Sequence, residues 1–186
     1  MKVSKFMNPK GVLLQAKIDN SADALGILVE LQEGIGVITN GNAYYKAVSA
    51  RESIGGTTAI GGGIALPHAS NAGVSAPGIS AVLLRRGVDW GAPDGAPVDL
   101  IFMIAVPPGS ESLHLQILAR LVNLLSRSEL TEALRTASNP QRFVELIAKT
   151  ENACFETIRD LYENGITSLS KNGILNRKKK IKTERR

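Results

Sequence analysis

Apolar residues recur along the first 150 or so positions in two alternating rhythms, one of period 3.6 and one of unbroken β-branched runs. Residues 11–17, GVLLQAK, predict a first strand or extended lead-in. Over Ala22–Glu33 the spacing of Ala24, Leu25, Leu28 and Val29 predicts a helix, with Ser21 as its cap and Gly34 as its stop. Asn40 or Asn42 opens a second helix to about Ser49, with Ala43, Tyr44, Ala47 and Val48 on one face. Ile64–Leu66 reads as a short buried strand, because Pro67 biases the preceding residue toward an extended conformation, and His68 falls just beyond its end. Ala69–Gly78 is small and polar and predicts a loop or short helical turn.

Ile79–Leu84 and Val98–Val106 are apolar runs bounded by turn residues, which predicts central strands. Between them lie a possible edge segment, Val88–Trp90, and the turn dipeptide Asp94-Gly95. Pro107-Pro108-Gly109 closes the second run. Ser110 or Ser112 then caps a helix with Ile117, Leu118, Leu121, Val122 and Leu125 inward and His114 in its first turn. A short helix over Ser128–Ala137 and a last one opened by Asn139-Pro140, with Phe143, Leu146 and Ile147 inward, complete the pattern. Helices alternating with apolar strands predict an α/β fold, a mixed β-sheet flanked by helices on both faces in a single domain. The expected boundaries are residues 1–150 for that domain and 151–186 for an extension holding a short helix near Phe155–Tyr162 and a flexible basic tail.

Composition changes this picture little. The net charge of +5 over 186 residues divides unevenly: residues 1–150 carry 13 basic and 12 acidic side chains, residues 151–186 carry 9 and 5. The excess sits in RKKKIKTERR and lacks aromatic interleaving, so a solvated tail is expected and no nucleic-acid partner. The longest apolar run, Leu100–Val106, is too short to span a bilayer, and the N-terminus lacks a signal-peptide pattern; a cytoplasmic protein without membrane insertion is expected. One cysteine, Cys154, excludes an internal disulfide framework, and two histidines exclude a zinc-ligand cluster. Phosphate-loop, dinucleotide-binding and nucleophile-elbow motifs are absent.

The chemistry concentrates in Arg51–His68, RESIGGTTAIGGGIALPH. Five glycines and a proline in that span disfavour a helix interior or a central strand. The stretch is read as backbone shaped around an imidazole at a strand end, with a glycine run whose N–H groups approach an anion. A neutral histidine is a competent phosphoryl acceptor. Arg51 offers a guanidinium fork, Thr57 and Thr58 offer hydroxyls, and His114 offers a second ring at a helix start. Plainer readings stand beside these: His68 as a hydrogen-bonded surface histidine, Arg51 as a partner for the helix dipole, and His114 as a helix-surface residue. Glu52 is read as a local pairing or capping residue, with a direct role left open. The surroundings of His68, including Ile64, Ala65, Ala69 and Ala72, predict a small apolar docking face.

RESIGGTTAIGGGIALPH, followed by PVDLIFMIAVPP and SLHLQILARLVNLL in the same order and spacing, resembles the type-2 enzyme IIA domains of the bacterial phosphoenolpyruvate:sugar phosphotransferase system, the fructose/mannitol group that includes nitrogen-regulatory IIA proteins. The likeness covers about residues 10–150. It implies a mixed sheet flanked by helices, phosphorylation of His68, and supporting roles for Arg51 and His114. It further implies the histidine phosphocarrier protein as donor, a IIB domain of a permease as acceptor, and no metal or organic cofactor. A regulatory IIA protein and a non-catalytic binding domain of the same fold are the alternatives. Where the family often reads GTGIG, this chain reads Gly56-Thr57-Thr58-Ala59-Ile60-Gly61.

Overall fold

Seven consecutive apolar residues, Leu100–Val106, are buried throughout and make the strand on which the sheet is built. In the computed structural model, which describes residues 1–54 and 56–154, strand β6 (Val98–Val106) has a partner on each side. Antiparallel β5 (Gly78–Val88) lies on one edge, with Ile79 opposite Ile104 and Val82 opposite Ile101. Parallel β3 (Ile64–Ala65) and β4 (His68–Ser70) share the other edge. Outside these, β1 (Met7–Ala16) runs parallel to β5 and β2 (Ala59–Gly61) antiparallel to β3. The result is a mixed six-stranded sheet in the order β1-β5-β6-β3-β2, with β4 continuing along β6.

Alternation along β6 divides the core. Ile101, Met103 and Ala105 join a cluster with Leu25, Leu28, Tyr44 and Val48 of α1 (Ser21–Gly34) and α2 (Gly41–Ile54). Phe102 is out of phase with them and meets Phe143, ring centroids 5.7 Å apart, in α5, which is helical over residues 140–154. Between β6 and α5 come α3 (Glu111–Leu125), burying Ile117, Leu121, Leu124 and Leu125, and α4 (Ser128–Arg135). This is the α/β architecture expected, one sheet with five α-helices among the described residues. Buried Gln32 ties α1 to the sheet, its Nε2 donating to Ser80 Oγ and to the Met103 carbonyl. Met1–Ala148 forms one compact unit, separate from the residues that follow it. The helix expected near Phe155–Tyr162 and the basic tail lie outside the described residues.

Several boundaries differ from expectation for identifiable reasons. Asn20, not Ser21, caps α1: its Oδ1 accepts from Asp23 N at 2.8 Å. Asn40 caps α2 through Ala43 N, and α2 continues past Ser49 to Ile54, so Arg51 lies inside its last turn. Ala69 and Ser70 are strand, not loop, because β6 extends beyond Ile104 and supplies them a partner edge. Trp90 is buried beyond the end of β5, not on an edge strand. In α3, Val122 is exposed and Leu118 half-buried, while Leu124 is buried. In α5, Leu146 is likewise only half-buried.

Candidate functional site

Pro67 lacks an N–H and interrupts what would otherwise be one strand along β6. Its carbonyl still accepts from Ile104 N at 3.0 Å, so pairing resumes at once and His68 opens β4 opposite Ile104. The imidazole thus sits on a backbone anchored on both sides, two residues before β6 ends at Val106. Beneath it, the buried Tyr44 hydroxyl donates to the Ile104 carbonyl at 2.7 Å and accepts from Ala69 N at 3.2 Å. Burial pushes the Tyr44 phenol well above its ordinary range, so it stays protonated as that link requires.

The His68 side chain is half-buried, and its Nδ1 lies 2.8 Å from the Leu66 carbonyl. A carbonyl only accepts, so Nδ1 carries the proton, and the lone pair of the neutral ring is on Nε2. The ring of His114 stands edge-on at a centroid distance of 5.0 Å, with the planes at 71°. His114 occupies the first turn of α3, where its backbone N–H donates to the Ser110 carbonyl. Its Nε2 is buried and has no partner. Burial, and then the neighbouring His68, hold its pKa below the ordinary histidine value, so it is neutral near pH 7. Two imidazoles therefore meet at the carboxyl end of the central strand, as ligand sites in open α/β sheets do.

Arg51 reaches the adjoining loop: its Nη1 donates to the Gly56 carbonyl at 3.2 Å. Both ion pairs found among the described residues, Arg135–Asp99 and Arg142–Glu145, leave Arg51 without a carboxylate partner. Among the described residues it makes no hydrogen bond to either imidazole, and the Gly56 carbonyl is the partner its guanidinium has.

Three expectations are corrected. Gly61–Gly63 is not an anion cradle beside His68. The run is the β2–β3 turn, all three glycines have positive φ, and Gly62 N already donates to Asp94 Oδ2 at 2.8 Å. Ile64 pairs with Leu100 and His68 with Ile104, so the turn is four residues, or about 13 Å, from the imidazole. Thr57 and Thr58 do not offer free hydroxyls: Thr57 Oγ1 donates to the Trp90 carbonyl at 2.6 Å, and Thr58 Oγ1 donates to Glu52 Oε1. Ile64 and Ala65 are core; of the small residues expected on that face Ala69 is half-buried and Ala72 exposed.

The residues that sequence reasoning missed are those reached from far away. Asp94, thirty-two positions from Gly62, had a local signal only for its own turn. Arg135 closes the same turn, donating to the Gly62 carbonyl while gripping Asp99 with two nitrogens. Nothing local announces Tyr44 as the link beneath β4.

The family described as "Phosphoenolpyruvate-dependent sugar phosphotransferase system, EIIA 2" matches residues 5–150. The chain belongs to this family. Among its relatives, the PTS system fructose-specific EIIABC component of Bacillus subtilis is 33% identical over 147 residues, 79% of this chain and 23% of that protein. This chain thus spans under a quarter of that relative's length. A nitrogen regulatory protein of Pseudomonas aeruginosa is 38% identical over 109 residues, 58% of this chain and 70% of that protein. The structure of the nitrogen regulatory protein IIA-Ntr from Neisseria meningitidis superposes with a TM-score of 0.73 at 26% identity, covering 78% of this chain and 98% of that one. IIA mannitol in complex with phosphorylated IIB mannitol from Escherichia coli has the same fold, with a TM-score of 0.65 at 21% identity over 76% of this chain and 96% of that one. Among the described residues, no helix is long and apolar enough to cross a membrane, and no group of three or more His, Cys, Asp or Glu is placed to hold a metal ion.

Proposed function

We propose that this chain is a phosphoryl carrier, accepting phosphate on His68 from the histidine phosphocarrier protein and donating it to a IIB domain for sugar uptake. The observation that carries this reading is the contact of His68 Nδ1 with the Leu66 carbonyl, which calls for the proton on Nδ1 and leaves Nε2 as the nucleophile, with the ring of His114, whose Nε2 has no partner, 5.0 Å away between centroids. As Nε2 forms its bond to phosphorus, the P–N bond to the donor's imidazole breaks. The Leu66 carbonyl then stabilises the positive charge that develops on the His68 ring. In this reading His114 carries its ring proton on Nε2 and donates to a phosphoryl oxygen, and Arg51, which has no carboxylate partner among the described residues, supplies charge from the last turn of α2. Catalytic roles thus fall to His68, His114 and Arg51.

A second reading, a regulatory IIA protein whose phosphorylation state controls partner proteins, is favoured by the nitrogen regulatory relative, which this chain covers to 70% against 23% for the fructose component. Incubation with phosphoenolpyruvate and the upstream carriers should introduce one acid-labile phosphate, and His68→Ala should take none. Equal labelling of that variant would refute the assignment. Adding a IIB domain separates the two readings, since a transport component is discharged by it and a regulator retains its label. A wild type that takes no label is a binding domain only.

A further inference from the structure

Glu52 follows Arg51 in the last turn of α2, but the helix turns successive residues by about 100°, and the two side chains take different directions. Glu52 reaches Thr58, at the entrance of β2, and Trp90, beyond the end of β5. Its Oε1 accepts from Thr58 Oγ1, and its Oε2 accepts from Thr58 N at 3.3 Å and from Trp90 Nε1 at 3.1 Å. Three neutral donors converge on one carboxylate, and neither ion pair found among the described residues includes it. Glu52 and Thr58 are six positions apart, and Gly56, the acceptor for Arg51, lies between them in the chain.

From Thr58 the hydrogen bonds continue. The Thr58 carbonyl accepts from Leu66 N at 3.0 Å, and the Leu66 carbonyl holds Nδ1 of His68. A path of hydrogen bonds therefore runs from Trp90 and Glu52 through Thr58 and Leu66 to the imidazole, and Gly56, the acceptor for the guanidinium, lies two residues before Thr58 in the chain. Resting on the phosphoryl-carrier reading above, we infer that Glu52 is the positioning residue of the site, aligning Arg51 and the His68 ring through Thr58 without touching the transferred group. A carboxylate suits this task because it is an acceptor on both oxygens. An amide keeps one acceptor: with its oxygen on Thr58 N and Trp90 Nε1 its NH2 faces Thr58 Oγ1, which must then accept instead of donate, and the charge that strengthens all three bonds is lost.

The test is Glu52→Gln in the full chain, assayed for phosphoryl transfer at 25 °C from the phosphorylated carrier. Misalignment of the reacting groups lowers the rate at saturating donor by about tenfold while KM for the donor stays within about twofold. Acting through Arg51, the substitution costs less in an Arg51→Ala background than alone. Trp90 is the sole tryptophan, so its indole N–H resonance reports the clamp directly and shifts in Glu52→Gln. Should Glu52→Gln fail to fold, Trp90→Phe removes one of the three donors and slows transfer by a few-fold. A folded Glu52→Gln protein with a shifted indole signal and a wild-type transfer rate overturns the inference and leaves the carrier reading intact. A rise in KM with unchanged maximal rate overturns it as well. A wild type that takes no label fails both together.

Discussion

β3 and β4 run along one edge of β6, and their two ends are built on opposite plans. At the Gly61–Gly63 end every strong polar group is answered from within the chain. Asp94 accepts from Gly62 N and Ala96 N, Arg135 donates to the Gly62 carbonyl, and Arg135 and Asp99 neutralise one another. The Gly62 and Ala96 N–H groups hold the Asp94 carboxyl below its usual range, which keeps it ionised as an anchor. At the His68 end polar groups are left open: a ring nitrogen that makes no hydrogen bond among the described residues and a second imidazole whose Nε2 has no partner. Satisfied groups give a rigid turn. Unsatisfied ones cost stability where they are buried, and on the carrier reading they are the groups that the phosphoryl group would complete.

This contrast is broken if the two ends respond alike to substitution. The largest expected effect is on chemistry: His114→Ala should slow phosphoryl transfer to His68 about 100-fold, the scale for losing a transition-state donor. Its thermal midpoint should hardly fall, because the nitrogen removed has no partner to abandon. Gly63→Ala should do the reverse. With φ at +76° and an added Cβ only 2.9 Å from Arg135 Nη2 and Asp99 Oδ1, it should cost about 2 kcal/mol in denaturant unfolding. Transfer by the folded protein at 25 °C should stay at the wild-type rate. If Gly63→Ala also slowed transfer tenfold in folded protein, the two ends would be one functional unit and the comparison would fail.

Tyr44→Phe sharpens the comparison, because this hydroxyl lies under the reactive end yet is fully satisfied. Removing it takes one partner each from the Ile104 carbonyl and from Ala69 N, which the β4–β6 ladder still pairs, at a cost of about 1 kcal/mol. Faster amide exchange should be confined to β4. Exchange spread evenly over the sheet would mean that Tyr44 serves the core and not the strand that carries His68.

What the amino-acid pattern reveals follows the range of the forces involved. The runs at β5 and β6 and the stripes of α1 and α3 are legible because burial on a sheet or helix face repeats at short, fixed intervals. Pro67 and His68 are legible for a similar reason, since a proline constrains its immediate neighbours. The glycine run misleads because glycine announces only that backbone freedom is needed. Whether its N–H then faces a ligand or a carboxylate is decided by Asp94 on a distant turn. Thr57 and Thr58 mislead in the same way: their hydroxyls are committed to Trp90 and Glu52, a pairing visible only once α2, β2 and the end of β5 are together.

The smallest effect expected concerns protons. In the folded chain His114 is held neutral, chiefly by burial and then by the charge His68 would carry, below the value of 6.5 it has when exposed. The folded state therefore binds fewer protons than the unfolded state as pH falls through that value. This contribution to stability is fully present above about pH 6.5 and is lost on acidification toward the lowered pKa, and His114→Ala should flatten that slope. Phosphorylation reverses one of the two causes, replacing a neighbour that can become positive with one that carries negative charge. The His114 midpoint, followed by ring-proton resonance, should then move upward in the phosphorylated protein while the titration of the unmodified protein stays low. An unchanged midpoint would mean that the phosphoryl group does not approach the vacant nitrogen, and the reactive end would lose the feature that most distinguishes it from the glycine turn.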